Sequence, residues 1–147
     1  MKLFVSLSII LLSFCSISHG QDQQDPVDWS FEVEDHGDHY LMISTASIDE
    51  SWSLYSQHTD IGGPVALSFE YDADDQLIGD TEEKSELIEN FSKLFDLNVR
   101  KFKKEAIFHQ KVGKNTDLKS IRGQLIYMCC DELRCLPPTV VEFDVAI

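Results

Sequence analysis

The 147-residue chain sets 12 basic against 26 acidic side chains, a formal charge of −14, and carries four cysteines. So acidic a chain lacks the basic surface that phosphate binding needs, which argues against nucleic acid as a partner. No stretch reaches the roughly 20 consecutive apolar residues of a membrane helix, and the length suits one domain with its own core rather than two.

The first twenty residues read as a secretory signal. Lys2 gives a positive start, Leu3 to Phe14 is an apolar run broken only by serines, and Ser18-His19-Gly20 is a small-x-small cleavage site. Cleavage would leave 127 residues starting at Gln21, with 11 basic against 26 acidic side chains, a formal −15. Leu12-Ser13-Phe14-Cys15 is a loose lipobox, and Phe14 stands where a small residue belongs, so the expectation is export without a lipid anchor on Cys15. Residues 21–26 form a polar leader expected to be disordered.

From there the apolar pattern has period two. Trp29, Phe31 and Val33 alternate with polar residues, Asp35-His36-Gly37-Asp38 supplies turn chemistry, and Tyr40 to Ile48 resumes as a second strand, so a hairpin is expected. Trp52 to Tyr55 is a short aromatic strand, interrupted after a polar stretch by Ile61-Gly62-Gly63-Pro64. Val65, Leu67, Phe69 and Tyr71 then alternate up to the acidic turn Asp72-Ala73-Asp74-Asp75. Leu87, Ile88, Phe91, Leu94 and Phe95 recur at helical spacing behind Asp80, a possible cap with Glu83 three residues on, which predicts a short helix or irregular crossover over Thr81 to Phe95.

Strands return with Leu97 and Val99 and again with Ala106, Phe108, Gln110 and Val112. Between them Lys101-Phe102-Lys103-Lys104, the only basic cluster, reads as a solvated turn in preference to a binding patch. After the Gly113-Lys114-Asn115 turn come Ile121 to Cys129 and, finally, Val141, Phe143, Val145 and Ile147 in strict alternation. Seven to nine short strands with little helix predict an all-β fold, an immunoglobulin-like antiparallel β-sandwich over residues 27–147.

The thiols beyond the signal, Cys129, Cys130 and Cys135, fall within nine residues of the Pro137-Pro138 pair. Export places them where disulfides form and persist, and an odd count leaves one over. Adjacent cysteines rarely bond each other, so Cys129 to Cys135 and Cys130 to Cys135 are both sterically open. The second pair encloses four turn-like positions. Such a loop of about six residues stabilises by only ~2 kcal/mol in the chain-entropy model, against roughly 4 to 5 for a long loop, so as a staple it is poorly placed. A short exposed loop is also within reach of an attacking thiolate, as labile and catalytic disulfides are. Arg134 favours a thiolate on Cys135, whereas Asp131 disfavours one on Cys130.

Tyr127-x-x-Cys130 followed by Cys135-Leu136-Pro137-Pro138, together with Trp52-x-Leu54-Tyr55-Ser56 and Gly62-Gly63-Pro64, resembles the N-terminal (alpha) domain of the thiol:disulfide interchange protein DsbD, from Trp29 to the end of the chain. The resemblance implies a periplasmic immunoglobulin-like domain without a cofactor. Its cysteine pair, here Cys130 and Cys135, would relay electrons from a thioredoxin-fold donor to thioredoxin-fold acceptors, with Cys135 forming the mixed disulfide. It leaves Cys129 as a buried strand residue. It also implies a shield over the disulfide: Tyr55 matches the aromatic position, Tyr127 belongs to the cysteine motif, and the cap loop falls at Asp75 to Gly79 with Leu77 as its apolar residue. Ser53 departs from the pattern, standing where an aromatic or histidine is usual. Because full DsbD proteins continue into membrane and thioredoxin-like domains, the expectation is a stand-alone domain served by a separate reductant.

Two other readings compete. In one, the domain is a non-catalytic exported binding module and the disulfide a structural staple. In the other, the thiols capture a soft metal with His36, His39, His58 or His109, although Cys-Cys-x4-Cys lacks the usual Cys-x2-Cys spacing. No serine triad, phosphate loop or helix-borne His-Glu motif is present.

Overall fold

The computed structural model describes residues 25–147. The expected signal, Cys15 and residues 21–24 of the leader lie outside them. Eleven strands are described: β1 (Val27–Asp35), β2 (His39–Ile48), β3 (Ser53–Tyr55), β4 (Ser68–Tyr71), β5 (Leu77–Glu83), β6 (Ile88–Ser92), β7 (Leu97–Phe102), β8 (Glu105–Gly113), β9 (Ser120–Tyr127), β10 (Cys129–Cys130) and β11 (Thr139–Ala146). Every strand pairing is antiparallel.

The first layer is the sheet β1-β2-β8-β5. Its opening hairpin forms as the turn residues predict, with β1 and β2 in register from Val27↔Ile48 to Asp35↔Tyr40. Gly37 adopts φ 89° at the turn, a left-handed conformation glycine enters without a steric cost, and its N–H donates to Asp35 Oδ1 at 2.8 Å. The facing layer consists of two sheets, β10-β3-β7-β6 and β11-β9-β4, joined where β9 runs through Met128 into β10.

Between the layers sits the core. Period two along each strand sends Ala46, Leu54, Phe102, Phe108, Leu125, Tyr127 and Cys129 inward, all of them buried, with Trp29 and Phe69 packed against them. Gly123 on β9 is a close-approach position: a Cβ there would lie 2.1 Å from the Glu70 carbonyl oxygen and 2.8 Å from Phe143 Cζ.

Three expectations are corrected. Thr81 to Phe95 holds no helix; it is the end of β5 followed by β6, hairpinned to β7 from Ile88↔Lys101 to Ser92↔Leu97. The helix-spaced Leu87, Ile88, Phe91 and Leu94 had no core to face and all stay exposed. Glu83 serves no cap either: it accepts from Ser56 Oγ at 2.9 Å and from the Gln57 N–H at 2.8 Å, tying β5 to the segment after β3. The single helical element among the described residues is a 3-10 turn at Asp74–Gln76. Of the basic cluster, only Lys103 and Lys104 form the turn, because Lys101 and Phe102 belong to β7 and Phe102 is fully buried. The end of the leader is also fixed: Asp25 accepts hydrogen bonds from the Val27 N–H and the Tyr127 hydroxyl, and the Pro26 carbonyl accepts from Asp49 N–H.

Candidate functional site

β10 is two residues long and decides which sulfur goes where. Cys129 pairs with Leu54 and Cys130 with Ser53 across β3, so the two side chains leave opposite faces of the sheet. Cys129 points into the core. Burial, and secondarily the charge of Asp25, pushes its thiol up to about 12, which keeps it protonated. Cys130 points to the outer face and is disulfide-bonded to Cys135, with the two Cα atoms 4.0 Å apart.

The loop between them is held by Asp131. Its Oδ1 accepts from the Leu133 and Arg134 N–H groups, both at 2.7 Å, and its own N–H donates to the Arg134 carbonyl at 2.9 Å. Those two N–H donors, then the Arg134 charge, hold the Asp131 carboxyl below its ordinary value. The Leu136 N–H donates to the Cys129 carbonyl at 3.0 Å, returning the chain beside β10. The turn is thus formed by hydrogen bonds that do not depend on the S–S bond. Arg134, read from sequence as a partner for a Cys135 thiolate, spends its charge elsewhere: its guanidinium lies 5.8 Å from the Trp52 ring centroid and 3.9 Å from Asp131 Oδ2.

The two sulfurs differ in access. Cys130 is 2 % exposed, while Cys135 is half-buried. Both belong to a small apolar cluster on the outer face, made by Tyr55, Val99, Leu97, Met128 and Phe95. The Phe95 ring stands edge-on to Tyr55 at 6.1 Å. It is delivered by the β6–β7 turn, closed by the Asp96 N–H donating to the Ser92 carbonyl at 2.9 Å, with Asp96 at φ 56°, a left-handed conformation aspartate tolerates. Beside this cluster lies a cleft of about 500 Å³, with Ser53, Tyr55 and Cys130 among its lining and Ile88, Phe91 and Leu94 on the side of the β6–β7 hairpin.

Of the residues expected to shield the disulfide, Tyr55 is brought to it. Leu77 is not: it pairs with Val112 at the start of β5 and packs in the other end of the sandwich with Tyr71 and Met42. Asp75 lies in the 3-10 turn just before it. Tyr127 lies in the core, 5.7 Å from Trp29 between ring centroids, because its position on β9 shares the inward parity of Cys129. The residues overlooked were Phe91, Leu94 and Phe95. Their signal in the sequence is apolar side chains in a polar stretch, at a spacing that also fits a helix.

The histidines stand apart. His36, His39 and His109 line a hollow on the first layer, and the rings of His36 and His39 lie 5.3 Å apart, paired to Glu34 and Asp38. Among the described residues no group of three or more His, Cys, Asp or Glu side chains is arranged to hold a metal ion. Among them, too, no helix is long and apolar enough to cross a membrane.

No family model matches the chain, and no curated protein matches it by sequence. Its fold does match solved structures. The N-terminal domain of Neisseria meningitidis DsbD, in its reduced form, superposes with a TM-score of 0.59 at 22 % identity over 82 % of this chain and 83 % of that one. The N-terminal periplasmic domain of ScsB from Proteus mirabilis superposes with a TM-score of 0.64 at 14 % identity over 85 % of this chain. The match spans about half of that ScsB chain, 48 %. The immunoglobulin-like sandwich expected from the strand pattern is therefore the architecture of this chain, shared with the DsbD and ScsB N-terminal domains.

Proposed function

We propose that the domain is a periplasmic dithiol/disulfide relay, passing electrons between thioredoxin-fold proteins through Cys130 and Cys135. The observation that carries this reading is the asymmetry of the pair: a half-buried Cys135 bonded to a buried Cys130, on the outer face of a sheet beside an open cleft, in a fold shared with the DsbD N-terminal domain.

In the reductive half, the thiolate of a donor attacks Cys135 Sγ, the S–S bond breaks, and Cys130 leaves as a thiolate. Attack of Cys130 on the resulting mixed disulfide would only reverse this step; the donor's second thiolate instead displaces Cys135, leaving the donor oxidised and the pair reduced by two electrons. In the oxidative half, Cys135 as thiolate attacks an acceptor disulfide and Cys130 then displaces the acceptor's thiol, restoring the bond. The Asp131 turn keeps both sulfurs adjacent throughout, so the resolving step is intramolecular and fast. Tyr55 and Phe95 shield the bond from adventitious thiols until a partner displaces the β6–β7 turn.

The test is electron transfer from a reduced thioredoxin-fold protein to an oxidised one through the purified domain. Cys130→Ser and Cys135→Ser should each abolish it, and Cys129→Ser should retain it. Equal transfer by all three variants would overturn the relay and leave a binding module with a structural disulfide.

A further inference from the structure

The net charge of the chain is strongly negative, yet three lysines line the disulfide cleft. Sheet register accounts for this. Tyr55↔Lys101 and Lys101↔Ile88 place Lys101 on the same outer face as Tyr55, and Lys103, one residue beyond β7, joins Ser53 and Cys130 in lining the cleft. Lys93, on the β6–β7 turn, lines it as well. With 26 acidic residues available, none of these three lysines has a carboxylate within ion-pair distance among the described residues; the ion pairs of Lys and Arg go to Lys84, Lys114, Arg100, Arg122 and Arg134.

Two carboxylates do border the cleft, Asp131 and Glu132. Asp131 is engaged by its own turn. Glu132 opposes only part of what Lys101 experiences: burial first, then the charge of Lys103, hold the Lys101 ammonium below its ordinary value. A half-buried ammonium pressed by a second one gains from any anion that enters. Ile88, Phe91 and Leu94 give the same cleft an exposed apolar side.

We infer that the cleft selects thiol partner proteins that carry acidic side chains next to their reactive cysteine, with Lys101 and Lys103 receiving the carboxylates and the β6–β7 hairpin the neighbouring apolar surface. The inference rests on the exchange reading of Cys130 and Cys135 and adds the chemistry of the partner that the pair accepts. Its consequence is kinetic, because paired opposite charges raise encounter rates and are screened by salt.

The probes are three thiol peptides, acetyl-Glu-Cys-Glu-amide and its Gln and Lys counterparts, reacted with the oxidised protein, quenched and counted by thiol alkylation and mass spectrometry. Rates are normalised to the thiolate concentration of each peptide. The Glu peptide is expected to reduce the pair about five-fold faster than the Gln peptide at low salt, and the Lys peptide more slowly than either. That advantage should vanish in about 0.5 M salt and in Lys101→Gln/Lys103→Gln, and should persist in Lys119→Gln, a substitution outside the cleft. Equal normalised rates for Glu and Gln peptides in the unsubstituted protein, or an advantage that survives the double substitution, would overturn the inference while leaving the relay standing. Failure of the Gln peptide and of dithiothreitol to reduce the bond would instead remove the relay, and the inference with it.

Discussion

Reducing the Cys130–Cys135 bond should cost the fold little. The bond joins residues five apart, so in the chain-entropy model it stabilises by ~2 kcal/mol, less than half of what a loop of about 100 residues would give. The native turn should survive reduction, since the Asp131 and Leu136 hydrogen bonds do not run through sulfur. Urea unfolding of the oxidised and reduced protein measures the difference directly. Thermodynamic linkage then requires the folded pair to have a potential about 45 mV below that of the unfolded pair, at 30 mV per 1.4 kcal/mol. Equilibration against glutathione or dithiothreitol gives the folded value, expected above about −250 mV. An oxidised form more stable by over about 4 kcal/mol, or a potential below about −300 mV, would refute the reasoning and mark the bond as structural.

Phe95→Ala should remove the edge-on contact with Tyr55 at a cost of about 1 kcal/mol and accelerate reduction of the bond by dithiothreitol several-fold, read by stopped-flow quenching; an unchanged rate would mean that Phe95 shields nothing. In the reduced protein iodoacetamide should label Cys135 first and Cys130 slowly, while Cys129, with its thiol pushed up to about 12, stays unmodified until denaturant is added; early labelling of Cys129 in peptide maps would contradict its placement. Gly123→Ala should destabilise by about 3 kcal/mol or more, because the new Cβ meets backbone on the neighbouring β4 strand, and a melting temperature within a degree of the parent would disprove the close approach. Asp131 has its folded value depressed below 3.8, so its contribution is complete above the unfolded value and is lost as pH falls through the folded one. Melting curves from pH 6 to pH 2 should therefore show an acid loss that Asp131→Asn, which keeps an acceptor but does not titrate, makes smaller.

The sandwich was legible because most strands are buried on one face only. Trp29, Phe31 and Val33 on β1 and Val141, Phe143 and Val145 on β11 carry an unbroken period of two, and a strand with one wet face has no other solution. Reading failed where no core imposed a pattern. The hairpin of β6 and β7 leaves Phe91 and Leu94 exposed, and with neither face selected, five apolar residues matched a helix by chance of spacing. Leu77 went to the wrong end of the molecule for a different reason. A cap loop is defined by what it folds over, and that is a matter of sheet order, β10-β3-β7-β6 here, which no local pattern encodes. Similarly, Val65 alternates with Leu67 and Phe69 as a strand would, but β4 begins at Ser68, after Leu67 has already entered the core.

The choice between the two cysteine pairings, left open by loop length, follows from parity once β9 is followed to its end. Ile121, Leu125 and Tyr127 are buried at even spacing, and the next inward position is Cys129. A staple for the sandwich would have used that inward sulfur, facing the opposite layer across the core. Instead the inward cysteine is free, and the bonded pair lies on the outer face, where it closes a turn already closed by Asp131 and joins no two layers. A bond that adds little to the fold and has a half-buried sulfur at Cys135 is what the proposed relay requires. In that proposal the buried Cys130 supplies what the half-buried Cys135 cannot, a second thiol that remains within bonding distance when a partner is attached.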